Sequence, residues 1–218
     1  MADLLKDGLL KLGCENVGEL AGKMEKYIGE IVLFNSAYNL TNTSVHDELV
    51  VRHIFDSLAP YSYFKKIFDE KSGKITVGDI GSGGGLPGIP LATAFPEVNF
   101  KLVERMSKRC AFLENCAAIL GLKNVEVVCS EAEKIGAETF DFITFRAFRP
   151  LDEKMTKTLL KIIKNDGAMF AYKAKMENIK EEMAAISALT GGYEVQKLDV
   201  PGLEDSERNL VVVKKSKN

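Results

Sequence analysis

The sequence has few of the residues that bind metals or form disulfide frameworks. Only four cysteines and two histidines occur in 218 residues, and no two cysteines form a C-x-x-C pair. Structural zinc sites usually combine such pairs with histidines. This scarcity argues against a metal site and favours reduced thiols, which are typical of a cytoplasmic protein.

Long apolar runs are also missing from the N-terminal segment. In "MADLLKDGLLKLG", acidic and basic residues interrupt every apolar run. A secretion signal or a transmembrane helix needs a longer uninterrupted apolar stretch. We therefore expect a cytoplasmic protein that does not enter a membrane.

Neither sign of charge is in large excess. The chain has 29 basic and 31 acidic residues, so its formal net charge is only -2. A nucleic acid would therefore have to bind a local basic patch. The 46% apolar content is enough for one substantial core, and the modest charge and acidic isoelectric point favour a monomer.

The spacing of apolar residues divides the chain into two parts. In residues 1–73 they recur at steps of three to four, as at Leu20, Met24 and Tyr27, which predicts helices. In residues 74–218 short apolar runs alternate with helical patterns, which predicts an α/β fold with a mostly parallel sheet. We therefore expect an N-terminal helical extension packed on an α/β core.

The second part contains seven predicted strands. The first five are predicted at Ile75–Ile80, Phe100–Val103, Val125–Cys129, Phe140–Phe145 and Ala168–Tyr172. Helices are predicted at Asp47–Leu58 in the first part, and at Ser107–Leu120, Leu151–Lys164 and Met176–Leu189 in the second. The last two strands, within Tyr193–Val200 and Asn209–Lys215, have no helix between them, which predicts an antiparallel hairpin at the edge of the sheet.

A glycine-rich stretch, "GDIGSGGGLPGIP", follows directly after the first predicted strand. Gly81, Gly83 and Gly85 let the chain turn sharply and bring backbone N–H groups close to a ligand. Ligands of parallel sheets lie over such turns, at the carboxyl ends of the strands. The stretch therefore predicts a cradle for a nucleoside-type cofactor.

Two cofactors fit this stretch. The pattern D-x-G-x-G-x-G that begins at Asp79 resembles the first motif of S-adenosylmethionine-dependent methyltransferases, while G-x-G-x-x-G from Gly83 fits the dinucleotide fingerprint. Glu104, 21 residues after Gly83, is placed to bind the ribose hydroxyls of either cofactor. The C-terminal hairpin resembles the methyltransferase fold and favours the first cofactor.

Five segments resemble, in the same order, those of the RsmG (GidB) family of bacterial small-subunit ribosomal RNA guanine-N7 methyltransferases. They are "YNLTNTS", "VVRHIFDSL", "DIGSGGGLPGIPLA", "LVERMSKRCAFLE" and "FRAFRPL". The resemblance implies a Rossmann-like methyltransferase fold, S-adenosylmethionine as cofactor, and methylation of guanine N7 in 16S ribosomal RNA. The implied partner is that RNA or the small ribosomal subunit.

The glycine loop and the resemblance together give a set of cofactor-binding residues. The predicted set is Gly81, Gly83, Gly85, Leu86, Glu104, Ala132, Glu133 and Arg146. The resemblance implies that Glu104 binds the ribose, that Ala132 and Glu133 lie near the adenine, and that Arg146 lies at the methionine end. The chain departs from the family pattern at Glu131, where an arginine is usual, and at Ala174, where a glycine is usual.

Four residues are candidates for binding the RNA. Arg149 and Lys173 follow strands at the expected ligand edge, where they would contact phosphates. Phe148, in a loop, would stack on a guanine, and His53 either packs its helix on the sheet or contacts RNA. Guanine N7 carries a lone pair and no hydrogen, so no general base is needed, and we predict no catalytic acid or base.

Two other functions remain open from the residues alone. One is an NAD-type oxidoreductase acting on a small molecule, and the other is a non-catalytic RNA-binding module with a nucleoside pocket. A hydrolase triad of His53, Asp56 and Ser57 is disfavoured, because the three share one short helix whereas triads assemble from separate segments.

Overall fold

A computed structural model describes residues 3–215, which form a seven-stranded sheet covered by helices. The strands are β1 (Thr76–Ile80), β2 (Asn99–Glu104), β3 (Val125–Cys129), β4 (Phe140–Arg146), β5 (Ile163–Lys173), β6 (Tyr193–Lys197) and β7 (Asn209–Lys214). Their order in the sheet is β3-β2-β1-β4-β5-β7-β6. The first five strands are parallel, and β7 pairs antiparallel with both β5 and β6. The α/β class, the mostly parallel sheet and the C-terminal hairpin are therefore confirmed.

Helices precede the sheet and connect its parallel strands. The α-helices are α1 (Leu4–Lys11), α2 (Val17–Tyr38), α3 (His46–Leu49), α4 (Asp56–Leu58), α5 (Tyr61–Glu70), α6 (Gly88–Ala94), α7 (Ser107–Leu120), α8 (Glu153–Ile162) and α9 (Met176–Ile186). A π-helical segment, Val50–Phe55, joins α3 to α4, and short 3-10 turns lie at Ala132–Lys134 and Ser187–Leu189. Among the described residues, no helix is both long and apolar enough to cross a bilayer.

Alternating side chains of the strands form two cores, one on each face of the sheet. On β7, Leu210 and Val212 belong to one apolar cluster, while Val211 and Val213 belong to the other. Strands that are buried on both faces have nearly continuous apolar sequences, as observed here. The first cluster also contains buried residues of α1 and α2, such as Leu9 and Met24. The N-terminal helices therefore share a core with one face of the sheet.

The largest difference from the predicted boundaries lies between α8 and β5. A helix was expected over Leu151–Lys164 and a strand from Ala168, but α8 ends at Ile162 and β5 begins at Ile163. Ile163 pairs with Phe140 in the sheet, and a side chain on Gly167 would lie only 2.3 Å from the carbonyl oxygen of Asp141. Contact with β4 therefore extends this segment as strand, although its local sequence is typical of a turn.

Candidate functional site

The glycine-rich loop follows β1 at the carboxyl edge of the parallel strands. Its backbone has positive φ at Gly81 (71°), Gly83 (57°) and Gly85 (89°), a region that residues with a Cβ rarely adopt. The Gly81 N–H donates to the carbonyl oxygen of Val103 at 2.8 Å, which attaches the loop to β2. The chain therefore turns sharply beside the ends of β1 and β2, as the sequence predicts.

Glu104, the last residue of β2, binds the loop with its carboxylate. Its Oε2 accepts a hydrogen bond from the Gly83 N–H at 2.9 Å, and its Oε1 accepts one from the Met106 N–H at 2.8 Å. The side chain is buried. Because both oxygens are fixed by backbone donors, the carboxylate is an oriented acceptor, and each oxygen retains capacity for a ligand hydroxyl.

A cavity of about 610 Å³, here called the first cavity, opens beside this carboxylate. Its volume lies within the usual range for cofactor and ligand pockets. Six of the predicted site residues line it: Gly81, Glu104, Ala132, Glu133, Phe148 and Arg149. The fold therefore brings together the residues predicted to bind the ribose, to lie near the adenine and to stack on a base. The space between them fits a nucleoside cofactor.

Four predicted cofactor residues do not line this cavity: Gly83, Gly85, Leu86 and Arg146. The Gly83 N–H is bound to Glu104, and a side chain on Gly85 would meet Ile89 and Leu113 at 2.6 and 2.9 Å. Leu86 is buried in the core formed with the N-terminal helices. Gly83, Gly85 and Leu86 therefore stabilise the buried side of the loop. Met106 and Arg109 line the first cavity but are not among the predicted cofactor residues. Their position just after Glu104 is the sequence feature that could have indicated them.

Arg146, the last residue of β4, is fixed by the helical region before the sheet. Its Nη1 donates to Asp56 Oδ2 at 2.7 Å and to the carbonyl oxygen of Arg52 at 3.1 Å. Its Nη2 lies 2.9 Å from His53 Nδ1. The side chain is largely buried, so these contacts define its position.

His53 accepts this hydrogen bond as a neutral imidazole. A guanidinium can only donate, so His53 Nδ1 must be unprotonated in this contact. Burial, together with the charges of Arg146 and Arg52, lowers the pKa of His53 to about 4. The residue lines neither described cavity but orients Arg146.

A second cavity, of about 280 Å³, adjoins the first. The two share Ala147 and Phe148 as lining residues. The second cavity is also lined by Asp56, Arg146, Tyr172, Lys173 and Arg208. The edge of the sheet therefore carries a larger space for a cofactor and a smaller adjoining space.

Phe148 stands at the border of the two cavities. A side chain on Gly81 would lie 3.1 Å from Phe148 Cδ2, so the ring lies close over the start of the glycine loop. It also packs against Phe145, at 5.3 Å between ring centroids. Phe145 itself is buried, which leaves Phe148 as the half-exposed aromatic of the pair.

Lys173 is bound by a carboxylate of α9. Its Nζ lies 2.7 Å from Glu182 Oε1, which also accepts the Leu151 N–H at 2.7 Å. Glu182 thus joins the end of β5 to the loop after β4. Lys173 lines the second cavity, but this ion pair neutralises its charge.

Asp79 is buried beneath the glycine loop. Its Oδ2 accepts the Gly88 N–H at 3.1 Å, while its Oδ1 is buried without a hydrogen-bond partner among the described residues. Burial raises the pKa of Asp79 to about 7, against the opposing effects of Ser82 and Gly88. Its contact with Gly88 connects β1 to the first turn of α6.

Residues 3–215 contain no cluster of three or more His, Cys, Asp or Glu side chains that could hold a metal ion. The four cysteines all lie within this range and are free thiols.

The family model and the similar proteins of known sequence point to the same family. The model of the GidB family, described as rRNA small subunit methyltransferase G, matches residues 21–211. A ribosomal RNA small subunit methyltransferase G of Treponema denticola is 37% identical, over 98% of this chain and 96% of that protein. The chain therefore matches the family over nearly its whole length.

Solved structures support the fold. A SAM-dependent methyltransferase from Aquifex aeolicus has a TM-score of 0.52 at 21% identity, covering 68% of this chain and 88% of that chain. The tRNA (m1A58) methyltransferase TrmI from Aquifex aeolicus has a TM-score of 0.57 at 14% identity, covering 73% of this chain and 70% of that chain. At these identities the likeness establishes the Rossmann-like methyltransferase fold alone.

Proposed function

The chain belongs to the GidB family of small-subunit ribosomal RNA methyltransferases, and on that basis we propose that it methylates N7 of a guanine in 16S ribosomal RNA, with S-adenosylmethionine as methyl donor. The observation that carries this proposal is the full-length family match, combined with a cavity that has the glycine loop and Glu104 on its wall. The oxidoreductase and the non-catalytic RNA-binding module are not supported.

The first cavity is the proposed cofactor site. Glu104 accepts the ribose hydroxyls, because its carboxylate is already oriented by two backbone donors. Ala132 and Glu133 lie on the adenine side, and Gly81 allows close approach of the backbone. When bound, S-adenosylmethionine supplies an electrophilic methyl group on a sulfonium.

Arg146 is the proposed contact at the methionine end. Its bonds to Asp56, Arg52 and His53 leave part of its fork of donors for a ligand carboxylate. The family departures at Glu131 and Ala174 lie beside the two cavities, since Glu131 lines the first and Ala174 the second.

The protein's task in this reaction is to position the reactants. Guanine N7 already has an in-plane lone pair, so no residue has to remove a proton. Correct alignment of two reactants can contribute roughly 7–11 kcal/mol in favourable cases. Phe148 stacks on the guanine, Arg149 contacts RNA phosphates, and His53 contributes by orienting Arg146.

The substrate is 16S ribosomal RNA or the small subunit that contains it. Residues 1–73 act as a helical extension that braces the methyltransferase domain of residues 74–218. We expect a monomer that works in the cytoplasm.

Two measurements test the proposal. Mass mapping of 16S ribosomal RNA from cells with and without the gene should show one N7-methylguanosine that depends on the gene. Calorimetry should show binding of S-adenosylmethionine and of its demethylated product, but not of NAD. Unchanged RNA masses, or saturation by NAD alone, would contradict it.

A further inference from the structure

The second cavity contains two guanidiniums that share one carboxylate. Asp56 Oδ2 lies 2.7 Å from Arg146 Nη1, and Asp56 Oδ1 lies 3.3 Å from Arg208 Nε. Asp56 is 7% exposed and so is shielded from solvent, whereas the Arg208 side chain is 31% exposed and remains partly accessible. Arg208 reaches it from the connection between β6 and β7, far from the other site residues in sequence.

Among the described residues, Arg208 has N–H groups without an acceptor, while Asp56 Oδ1 is a buried acceptor without a hydrogen bond. The carboxylate of Asp56 is shared by the two arginines, the cofactor carboxylate proposed above would balance Arg146, and Lys173 is balanced by Glu182. Arg208 Nη1 donates to the carbonyl oxygen of Glu207 at 2.9 Å, and its Nε faces Asp56. These two contacts use only part of its planar fork of donors. A ligand of this cavity should therefore present acceptor atoms.

We infer that the second cavity holds the target guanine and that Arg208 donates a hydrogen bond to its O6, which makes Arg208 a specificity-determining residue. This inference rests on the proposed function. The shared wall of Ala147 and Phe148 places the cavity next to the cofactor space, where the methyl acceptor must lie. Its volume, less than half that of the first cavity, suits a single base.

The chemistry of the purine edge explains the choice of an arginine. Guanine presents O6 and N7 as neighbouring acceptors, and arginine is their usual partner. Adenine has an amino group at the position of O6, which would place donors against donors. A donor on O6 therefore selects guanine, and it also fixes which way the neighbouring N7 points. Asp56 positions Arg208 and limits the positive charge next to the base.

The test compares bases at the mapped target position. Small-subunit ribosomal RNA, free and reconstituted into subunits, is prepared with guanosine, inosine or 2-aminopurine at that one position. Inosine retains O6 and N7, whereas 2-aminopurine retains N7 but lacks O6. The kcat/KM ratio of guanosine to 2-aminopurine is measured for the wild type, Arg208→Ala and Arg208→Lys. Lys197→Ala, an exposed residue of β6, is the control variant.

The wild type should methylate inosine nearly as well as guanosine. Its preference for guanosine over 2-aminopurine should fall about tenfold or more in Arg208→Ala, as expected for loss of a charge-assisted hydrogen bond. Intrinsic reactivity differences between the bases cancel in this comparison. Arg208→Lys, which can keep the ion pair with Asp56, should retain part of the preference, and Lys197→Ala all of it. The dissociation constant of S-adenosylmethionine should not change.

Two results would overturn the inference. An unchanged preference in Arg208→Ala, with both RNAs methylated less, would mean that Arg208 contacts a phosphate or has only a structural role. Weaker binding of S-adenosylmethionine in both Arg208 variants would assign the second cavity to the cofactor. A wild-type enzyme that methylates no guanosine in either substrate would instead refute the proposed function, and this inference with it.

Discussion

The hydroxyl of Tyr27, on α2, donates a hydrogen bond to the carbonyl oxygen of Gly84, in the middle of the glycine-rich loop. Tyr27 is completely buried. Next to it, a side chain on Gly84 would lie 3.3 Å from Leu40 Cβ, so a second N-terminal segment also packs on this loop. The N-terminal helical region therefore packs against the buried side of the loop, while Glu104 binds the loop from β2.

Tyr27→Phe should weaken both the fold and cofactor binding. The substitution leaves the buried carbonyl of Gly84 without this donor, which typically costs about 1–3 kcal/mol. We expect a lower free energy of unfolding in urea and several-fold weaker binding of S-adenosylmethionine by calorimetry. Tyr193→Phe, at an exposed tyrosine of β6, is the control and should change neither value. Equal behaviour of the two variants would mean that the bond to Gly84 is unimportant.

Gly85→Ala should destabilise the protein strongly. The residue has a φ of 89°, and the new Cβ would lie 2.6 Å from Ile89 Cγ1 and 2.9 Å from Leu113 Cδ2. Strain and overpacking of this kind typically cost about 1–3 kcal/mol each. Gly29→Ala, on the exposed face of α2 with no atom near the new Cβ, should instead stabilise the protein by roughly 0.5–1 kcal/mol. Chemical unfolding of the two variants checks the opposite signs.

Glu104→Ala should reduce the affinity for S-adenosylmethionine. It removes the acceptor proposed for the ribose and also the acceptor of the Gly83 and Met106 N–H groups. Loss of one or two charge-assisted hydrogen bonds corresponds to roughly 10- to 100-fold weaker binding. Glu104→Gln, which keeps one oxygen, should lose less. Glu126→Gln, on the neighbouring strand β3, should bind as the wild type does, and calorimetry would refute the assignment if all three variants did.

The sequence alone predicted most of the sheet, because the parallel strands are buried on both faces and have nearly continuous apolar runs. It also predicted the positions of Gly81 and Glu104, which line the first cavity together. Both residues lie at the ends of consecutive strands, and parallel strands end at one edge of the sheet. The local sequence pattern and the topology of the sheet therefore predict the same position for these two residues.

Contacts between distant segments could not be predicted in this way. The ion pair of Asp56 with Arg208 joins α4 to the connection after β6, and nothing in either local sequence indicates the partner. The same holds for Lys173, whose charge is balanced by Glu182 of α9. The start of β5 was mispredicted for a related reason, since pairing with β4 outweighed the local turn signal. Such features depend on packing between elements rather than on sequence spacing.

Asp79 should make stability fall as the pH rises. Burial raises the pKa of Asp79 to about 7, while in the unfolded chain it lies near its ordinary value of about 3.9. Between these values the folded state binds more protons than the unfolded state, so the free energy of unfolding decreases with pH. The slope from this one group is at most about 1.4 kcal/mol per pH unit. Asp79→Asn, whose amide oxygen can still accept the Gly88 N–H, should lack this component.

Unfolding of the wild type and of Asp79→Asn in urea at several pH values between 4.5 and 7.5 isolates the effect, because other groups cancel in the difference. The wild type should lose stability relative to the variant as the pH increases. A difference that stays constant over this range would mean that Asp79 titrates normally in the folded protein.

His53 should act in the opposite direction. Burial, with the charges of Arg146 and Arg52, lowers the pKa of His53 to about 4, whereas in the unfolded chain it is about 6.5. Between these values the unfolded state binds more protons, so the stabilising contribution is present above about pH 6.5 and is lost as the pH falls toward 4. In His53→Asn, whose amide oxygen can accept from Arg146, this dependence should disappear.

His46 provides the matched control, because its surroundings raise its pKa whereas those of His53 lower it. Hydrogen bonds to Asp47 and Glu25 raise the pKa of this exposed imidazole, so its contribution is present at low pH and is lost as the pH rises through the folded-state pKa. Wild-type stability should therefore increase with pH relative to His53→Asn and decrease with pH relative to His46→Asn. If wild-type stability also decreased with pH relative to His53→Asn, His53 would be a protonated group in the folded protein. Its Nδ1 could then not accept the Arg146 hydrogen bond, and a direct contact of His53 with RNA phosphate would become the better account of this residue.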